Sequence, residues 1–235
     1  MNKVNIKKGI ECLDIEILSW NPDSQMISYK ITGTPVCHDQ HSRARVGIKF
    51  KDYKVSEKPD YVVYTQVWDT MEKDPEFKKE VIETLQELED LRNENNEELS
   101  SLEMSSLNLM SRECSYVVEQ NIGSLRGQMA RRLQFCEEEF IVGLHWLLRQ
   151  KMIDKGISLA NSFKPMCDVT KKCEYAKADY LSNAFGCLFA GCGRWKSHTE
   201  FASFNQSCTT PELVKQQTGV TCTKSEYELE LEENK

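Results

Sequence analysis

The hydrophobic period of this chain changes near residue 73, and that change limits its fold more than any other feature. Upstream, apolar residues recur at every second position; downstream, they recur every three or four. In "LDIEILSW", Leu13, Ile15 and Ile17 alternate with polar neighbours and, after a slip of one residue, Trp20 joins them. "NPDS" supplies a turn, and "QMISYKITG" alternates again, so the two segments read as a β-hairpin. "ARVGIKFKDYKV" places Val46, Ile48 and Phe50 on one face, and "YVVYTQVW" is β-branched and aromatic, which suits a strand. Four strands joined by turns predict an antiparallel sheet with one face to be covered by other elements.

The cover is expected from the next segment. Asp74 stands as an N-cap, Pro75 occupies the first helical position, and Phe77, Val81, Leu85, Leu88 and Leu91 recur at helical spacing. The period weakens at "RNENNEE" and resumes at Leu99, so the helix either continues through a polar waist or breaks into two. Read as heptads, Arg92 and Ser106 would fall on the apolar seam, which argues against a dimeric coiled coil. A second helix is expected from about Ser115 to Lys155, on the spacing of Leu125, Met129, Leu133, Cys136, Phe140, Leu144 and Leu147, with Gly156 as its stop. Gly123 and Gly127 weaken helix near 121–124, and a turn there would fold the segment into a helical hairpin.

The expected architecture is therefore α+β: an N-terminal antiparallel sheet over residues 1–72, a long helical hairpin over 73–164, a cysteine-rich cap over 165–223 and an acidic tail over 224–235. At 40% hydrophobic and 29% charged residues, the chain can bury a core. No apolar run reaches the ~18 residues of a spanning helix; the longest stretch, Phe140 to Leu148, is interrupted by His145. The first residues carry lysines without an apolar segment behind them. A cytoplasmic location is expected if Met1 is the native start, and an extracellular one if a signal segment was removed.

Charge is divided unevenly. Asp74 to Glu103 holds eleven acidic residues against three basic, whereas Arg149 to Lys196 holds nine basic against four acidic. The net charge of −7, with basic residues dispersed among acids, disfavours nucleic acid as a partner. The acidic helix instead suggests contact with a protein partner or a second copy through Glu87, Asp90, Glu94, Glu97 and Glu98.

Six of the ten cysteines fall between Cys167 and Cys222. Cys167, Cys173, Cys187, Cys192, His198 and Cys208 could supply zinc ligands, although pairs with five and four intervening residues are looser than the usual knuckle. In an oxidising compartment the same thiols would form disulfides. "FGCLFAGCGRW" has a composition also found in loops that enter membranes, but Phe185, Leu188, Phe189 and Trp195 serve equally as core anchors. "VCHDQH" brings Cys37, His38 and His41 together in what reads as a loop between strands. No phosphate-binding glycine loop, dinucleotide fingerprint, H-E-x-x-H or C-x-x-C is present. A cysteine nucleophile partnered by His145 or His198 would have to be assembled in space.

The function these features favour is non-catalytic protein recognition or assembly through the acidic hairpin. A zinc-binding or thiol-dependent enzyme and a membrane-active extracellular or viral module are the alternatives.

Overall fold

The computed structural model describes residues 3–42, 47–94, 112–133, 139–164, 215 and 220–221. Strand β1 (Asn5–Lys8) leads through a 3-10 turn (Gly9–Cys12) into β2 (Asp14–Asn21) and β3 (Met26–Gly33). Helix α1 (Pro35–Ser42), β4 (Ile48–Val55), β5 (Asp60–Val63), α2 (Thr65–Lys73) and α3 (Pro75–Glu94) follow. Strand β6 (Cys114–Asn121) then runs into helices α4 (Ile122–Arg132) and α5 (Glu139–Asp154), and a second 3-10 turn spans Ser158–Ser162.

The hairpin forms where alternation places it. β2 and β3 pair antiparallel with Ile15 opposite Ile31 and Ile17 opposite Tyr29, and the register slips between Ile17 and Ser19, where the sequence slips. In the turn, the Ser24 amide donates to Asn21 Oδ1 at 3.0 Å. The sheet continues in the order β2-β3-β6-β4, all antiparallel, while β1 and β5 form a separate parallel pair.

Strand β6 corrects the expected helical hairpin. The segment from Ser115 to Asn121 is extended, with Cys114, Tyr116, Val118 and Gln120 buried on one side, and it is zipped between β3 and β4. "SYVVEQ" carries the period of two and the β-branched residues of a strand, a signal masked by the long helical period that follows. Helix begins at Ile122, where Asn121 Oδ1 accepts from the Gly123 amide at 2.8 Å. The sheet thus draws on residues from both sides of the boundary expected at 72.

α5 is buried on nearly every side, as expected of a helix in the middle of a protein. Phe140, Leu144, Leu148 and Met152 recur every fourth residue and lie fully inside, each contributing about 1.5–3 kcal/mol by burial. They share one core with the inner sheet face, which carries Ile15, Ile27, Tyr29, Ile31, Tyr116 and Val118. Trp146 Nε1 donates to the Leu133 carbonyl at 3.1 Å, fixing α5 to the end of α4. Gly156, at φ +75°, ends the element as anticipated: its amide donates to Ile153 O at 2.8 Å and that of Ile157 to Met152 O at 3.0 Å.

α3 begins as its sequence indicates, with Asp74 Oδ1 accepting from the amides of Glu76 and Phe77 at 3.1 and 3.0 Å. Its inward face is not purely apolar. Beside Leu85, Glu89 is buried and bonded to the fully buried Arg112. Tyr61 donates to the same carboxylate at 2.8 Å, and Arg112 also reaches the Ser56 carbonyl at 2.9 Å. One face of the acidic helix is therefore locked to its own chain. Among the described residues no helix is long and apolar enough to cross a membrane. The expected cysteine-rich cap and acidic tail lie outside the described residues apart from Lys215, Val220 and Thr221; Val220 is part of the core.

Candidate functional site

The segment read as a histidine-bearing loop is helix α1. It leaves β3 at Gly33, where a Cβ would lie 2.9 Å from Leu13 Cδ2, so glycine permits the close approach. Thr34 then accepts from the Cys37 amide through its hydroxyl at 3.4 Å, and Pro35 opens the helix. Three residues apart on one helical side, His38 and His41 both turn toward the sheet, the first half-buried and the second fully buried.

An imidazole and phenol cluster forms around them. The His38 ring lies 4.7 Å from Tyr53, 4.9 Å from Tyr116 and 5.4 Å from Phe50, centroid to centroid. His41 lies 5.5 Å from His145 of α5, 5.6 Å from Phe50 and 6.1 Å from Tyr29, on which it stacks. A β-bulge brings Tyr53 in: the pairing of β4 with β6 shifts between Lys51 and Lys54, and Asp52 adopts φ +52°. Bulges of this kind re-aim a side chain and concentrate beside functional sites.

A hydrogen-bond chain crosses the core. Tyr29 donates to Gln120 Oε1 at 2.9 Å, and Gln120 Nε2 donates to Gln128 Oε1 at 2.8 Å. With the Tyr29 proton committed to Gln120, the 3.3 Å contact to His41 has Nε2–H as its donor, which leaves Nδ1 bare. His145 Nδ1 lies 2.7 Å from the Ile141 carbonyl. A carbonyl only accepts, so that nitrogen carries the proton and Nε2 is bare. His41 Nδ1, His145 Nε2 and the Tyr116 hydroxyl are buried and have no hydrogen-bond partner among the described residues.

Burial keeps these imidazoles neutral. It pushes His41 well below the usual range, with the charges of His145, His38 and Arg132 adding to the effect. Burial likewise brings His145 down to about 4, against the Ile141 carbonyl, which favours the charged ring. His38 is lowered by burial and partly restored by Asp39. At neutral pH the cluster thus offers unprotonated nitrogens, of which only His38 reaches solvent.

Between β1 and α2, Lys7, Lys8, Cys12, Trp68 and Glu72 line an open cavity of about 520 Å³, within the size range of small-molecule sites. Lys7 binds Glu113 at 2.6 Å and Asp60 at 3.2 Å, which together outweigh burial and raise its pKa; Lys8 binds Asp69 at 3.3 Å. The Cys12 thiol donates to the Gly9 carbonyl at 2.9 Å, and burial, then the nearby Cys37, pushes it up to about 12. Burial also raises Cys114 to about 12, against its hydrogen bond with Tyr53. Neither has the thiolate character of a nucleophile. Cys12 and Cys114 are free thiols, and among the described residues no group of three or more His, Cys, Asp or Glu is arranged to hold a metal.

Of the acidic residues singled out for partner contact, Glu87 and Glu94 are exposed on α3, while Asp90 is half-buried and accepts from Gln86 Nε2 at 3.0 Å. Glu97 and Glu98 lie outside the described residues, as do Cys167, Cys173, Cys187, Cys192, His198 and Cys208 and the "FGCLFAGCGRW" stretch. The histidines of "VCHDQH" were visible in the sequence, but their meeting with Tyr29, Tyr116 and His145 was not. Trp68 lay in what read as a strand, and only the helical fold of α2 puts it four residues from Glu72 on one face.

No family model and no curated protein matches the chain. Solved structures of similar fold include a UMP/dUMP methylase, PolB from Streptomyces cacaoi, bound with 5-Br UMP. The match has a TM-score of 0.53 at 6% identity and covers 65% of this chain and 92% of that one. The likeness is one of fold. Strand β6 corrects the expectation of a non-catalytic assembly protein built on a long acidic hairpin, because it interrupts that hairpin, and a neighbour of similar fold is an enzyme.

Proposed function

We propose that the chain is an enzyme acting on a pyrimidine mononucleotide, in the manner of a UMP or dUMP methylase. The observation that carries this reading is the fold match, which spans nearly the whole of the methylase. The half-buried His38 supports it: lowered by burial, its imidazole is neutral at pH 7 and able to accept a proton, with Tyr53 and Tyr116 packed around it. In this reading His38 is the group that meets substrate, and Tyr53, Phe50 and Tyr116 hold its ring.

The test is calorimetric titration of the full chain with UMP, dUMP and 5-Br UMP, followed by mass spectrometry of the nucleotide after incubation with a panel of one-carbon donors. Saturable binding and the mass gain of one methylene are expected, with turnover falling at least about tenfold in His38→Ala at unchanged folding. Absence of binding by all three nucleotides would overturn the reading.

A further inference from the structure

The cavity at β1 and α2 has a chemistry of its own. Among the described residues that line it or pair with its lysines, two positive charges, Lys7 and Lys8, stand against four negative ones, Asp60, Asp69, Glu72 and Glu113. An isolated phosphate or carboxylate would meet net repulsion there. A flat uncharged ring would not. The Trp68 indole offers a half-buried apolar plate, and stacking of a base on an aromatic side chain contributes about 1–3 kcal/mol.

The polar groups around the plate are complementary. An ammonium has three donors; Lys7 directs two of them to Glu113 and Asp60, which hold it in place and leave the third for a ligand. The Glu72 carboxylate, one helical turn from Trp68, can only accept. An acceptor from the ligand matches Lys7, and a donor matches Glu72.

We propose that this cavity binds a planar, uncharged heterocycle whose edge presents an N–H beside a carbonyl, such as the base of a pyrimidine nucleotide. In naming a pyrimidine base, the assignment rests on the function proposed above; the donor, acceptor and stacking chemistry do not. Cys12, on the cavity wall, packs against the core that contains Cys37, and Cys37 directly precedes His38.

The experiment titrates the full-length protein with uracil, uridine, 3-methyluridine, UMP and inorganic phosphate, reading tryptophan fluorescence and heat in parallel. Uracil and uridine should quench a component that is absent in Trp68→Phe. 3-Methyluridine, whose N–H is blocked, and the Glu72→Ala variant should each show affinity at least about tenfold weaker. Phosphate should displace nothing. Circular dichroism establishes that both variants are folded.

If the wild-type chain binds UMP and both variants bind it equally well, the nucleotide is held elsewhere: the cavity assignment falls and the proposed function stands. Equal binding of 3-methyluridine and uridine also overturns the assignment. If uracil and uridine bind at Trp68 but no mononucleotide binds, the proposed function falls and the cavity assignment survives.

Discussion

His145 shows how much of a residue's behaviour depends on surroundings that lie far away in sequence. Its position within the apolar run Phe140 to Leu148 reads as a single polar interruption. In the fold, its ring is fully buried near His41, with one nitrogen committed to a carbonyl and the other bare. Because its folded pKa lies near 4, below the ~6.5 of an unfolded histidine, the unfolded chain binds more protons between those values. The stability that depends on neutral His145 is therefore complete above about pH 6.5 and is lost as pH falls toward 4, by on the order of 3 kcal/mol. Buried His41, lowered for the same reason, changes stability in the same direction. Urea denaturation at pH 7.5 and 4.5 measures the slope, which His145→Gln should flatten. An unchanged slope in that variant would remove His145 as its source.

At the scale of elements, local signals succeeded where the governing contacts were local. Asp74 and Pro75 announce the start of α3 because a cap bonds to amides two and three residues away. Asp74→Ala is expected to cost about 1 kcal/mol, and the measured change in urea midpoint should recover that loss without a change in slope. A neutral result would mean that the packing of α3 determines the helix start and the cap does not. Strand β6 is the opposite case. Its eight residues from Cys114 to Asn121 stand directly before two helices, and their identity as strand depends on β3 and β4, each more than 50 residues upstream. The helix α1 was missed for a related reason. "TPVCHDQHS" has little hydrophobic contrast between its faces, so its helical period is weak, although Thr34 and Pro35 form a usable start signal.

For the molecule as a whole, the consequence is that the sheet cannot be completed within the first 72 residues. β4 pairs with β6 alone in its sheet, and β6 separates it from β3. A fragment of residues 1–72 is therefore expected to lack cooperative folding, seen as the absence of a sigmoidal urea transition by circular dichroism. A cooperative transition would show that the β2–β3 hairpin and its neighbours suffice without β6.

The β2–β3 hairpin with its slip at Leu18, the start of α3 at Asp74 and the stop of α5 at Gly156 are legible in the local sequence. Each rests on alternation, capping or a positive φ, and so on interactions within a few residues. Long-range packing, in contrast, puts β6 inside the sheet, pairs Glu89 of the acidic helix with Arg112, and gathers His38, His41 and His145 with Tyr29 and Tyr116. The reason is separation along the chain: Tyr29 reaches Gln120 across 91 residues and Glu89 reaches Arg112 across 23. Contacts over such distances come from burial and from satisfying buried polar groups, and neither leaves a periodic mark on the residues that make them.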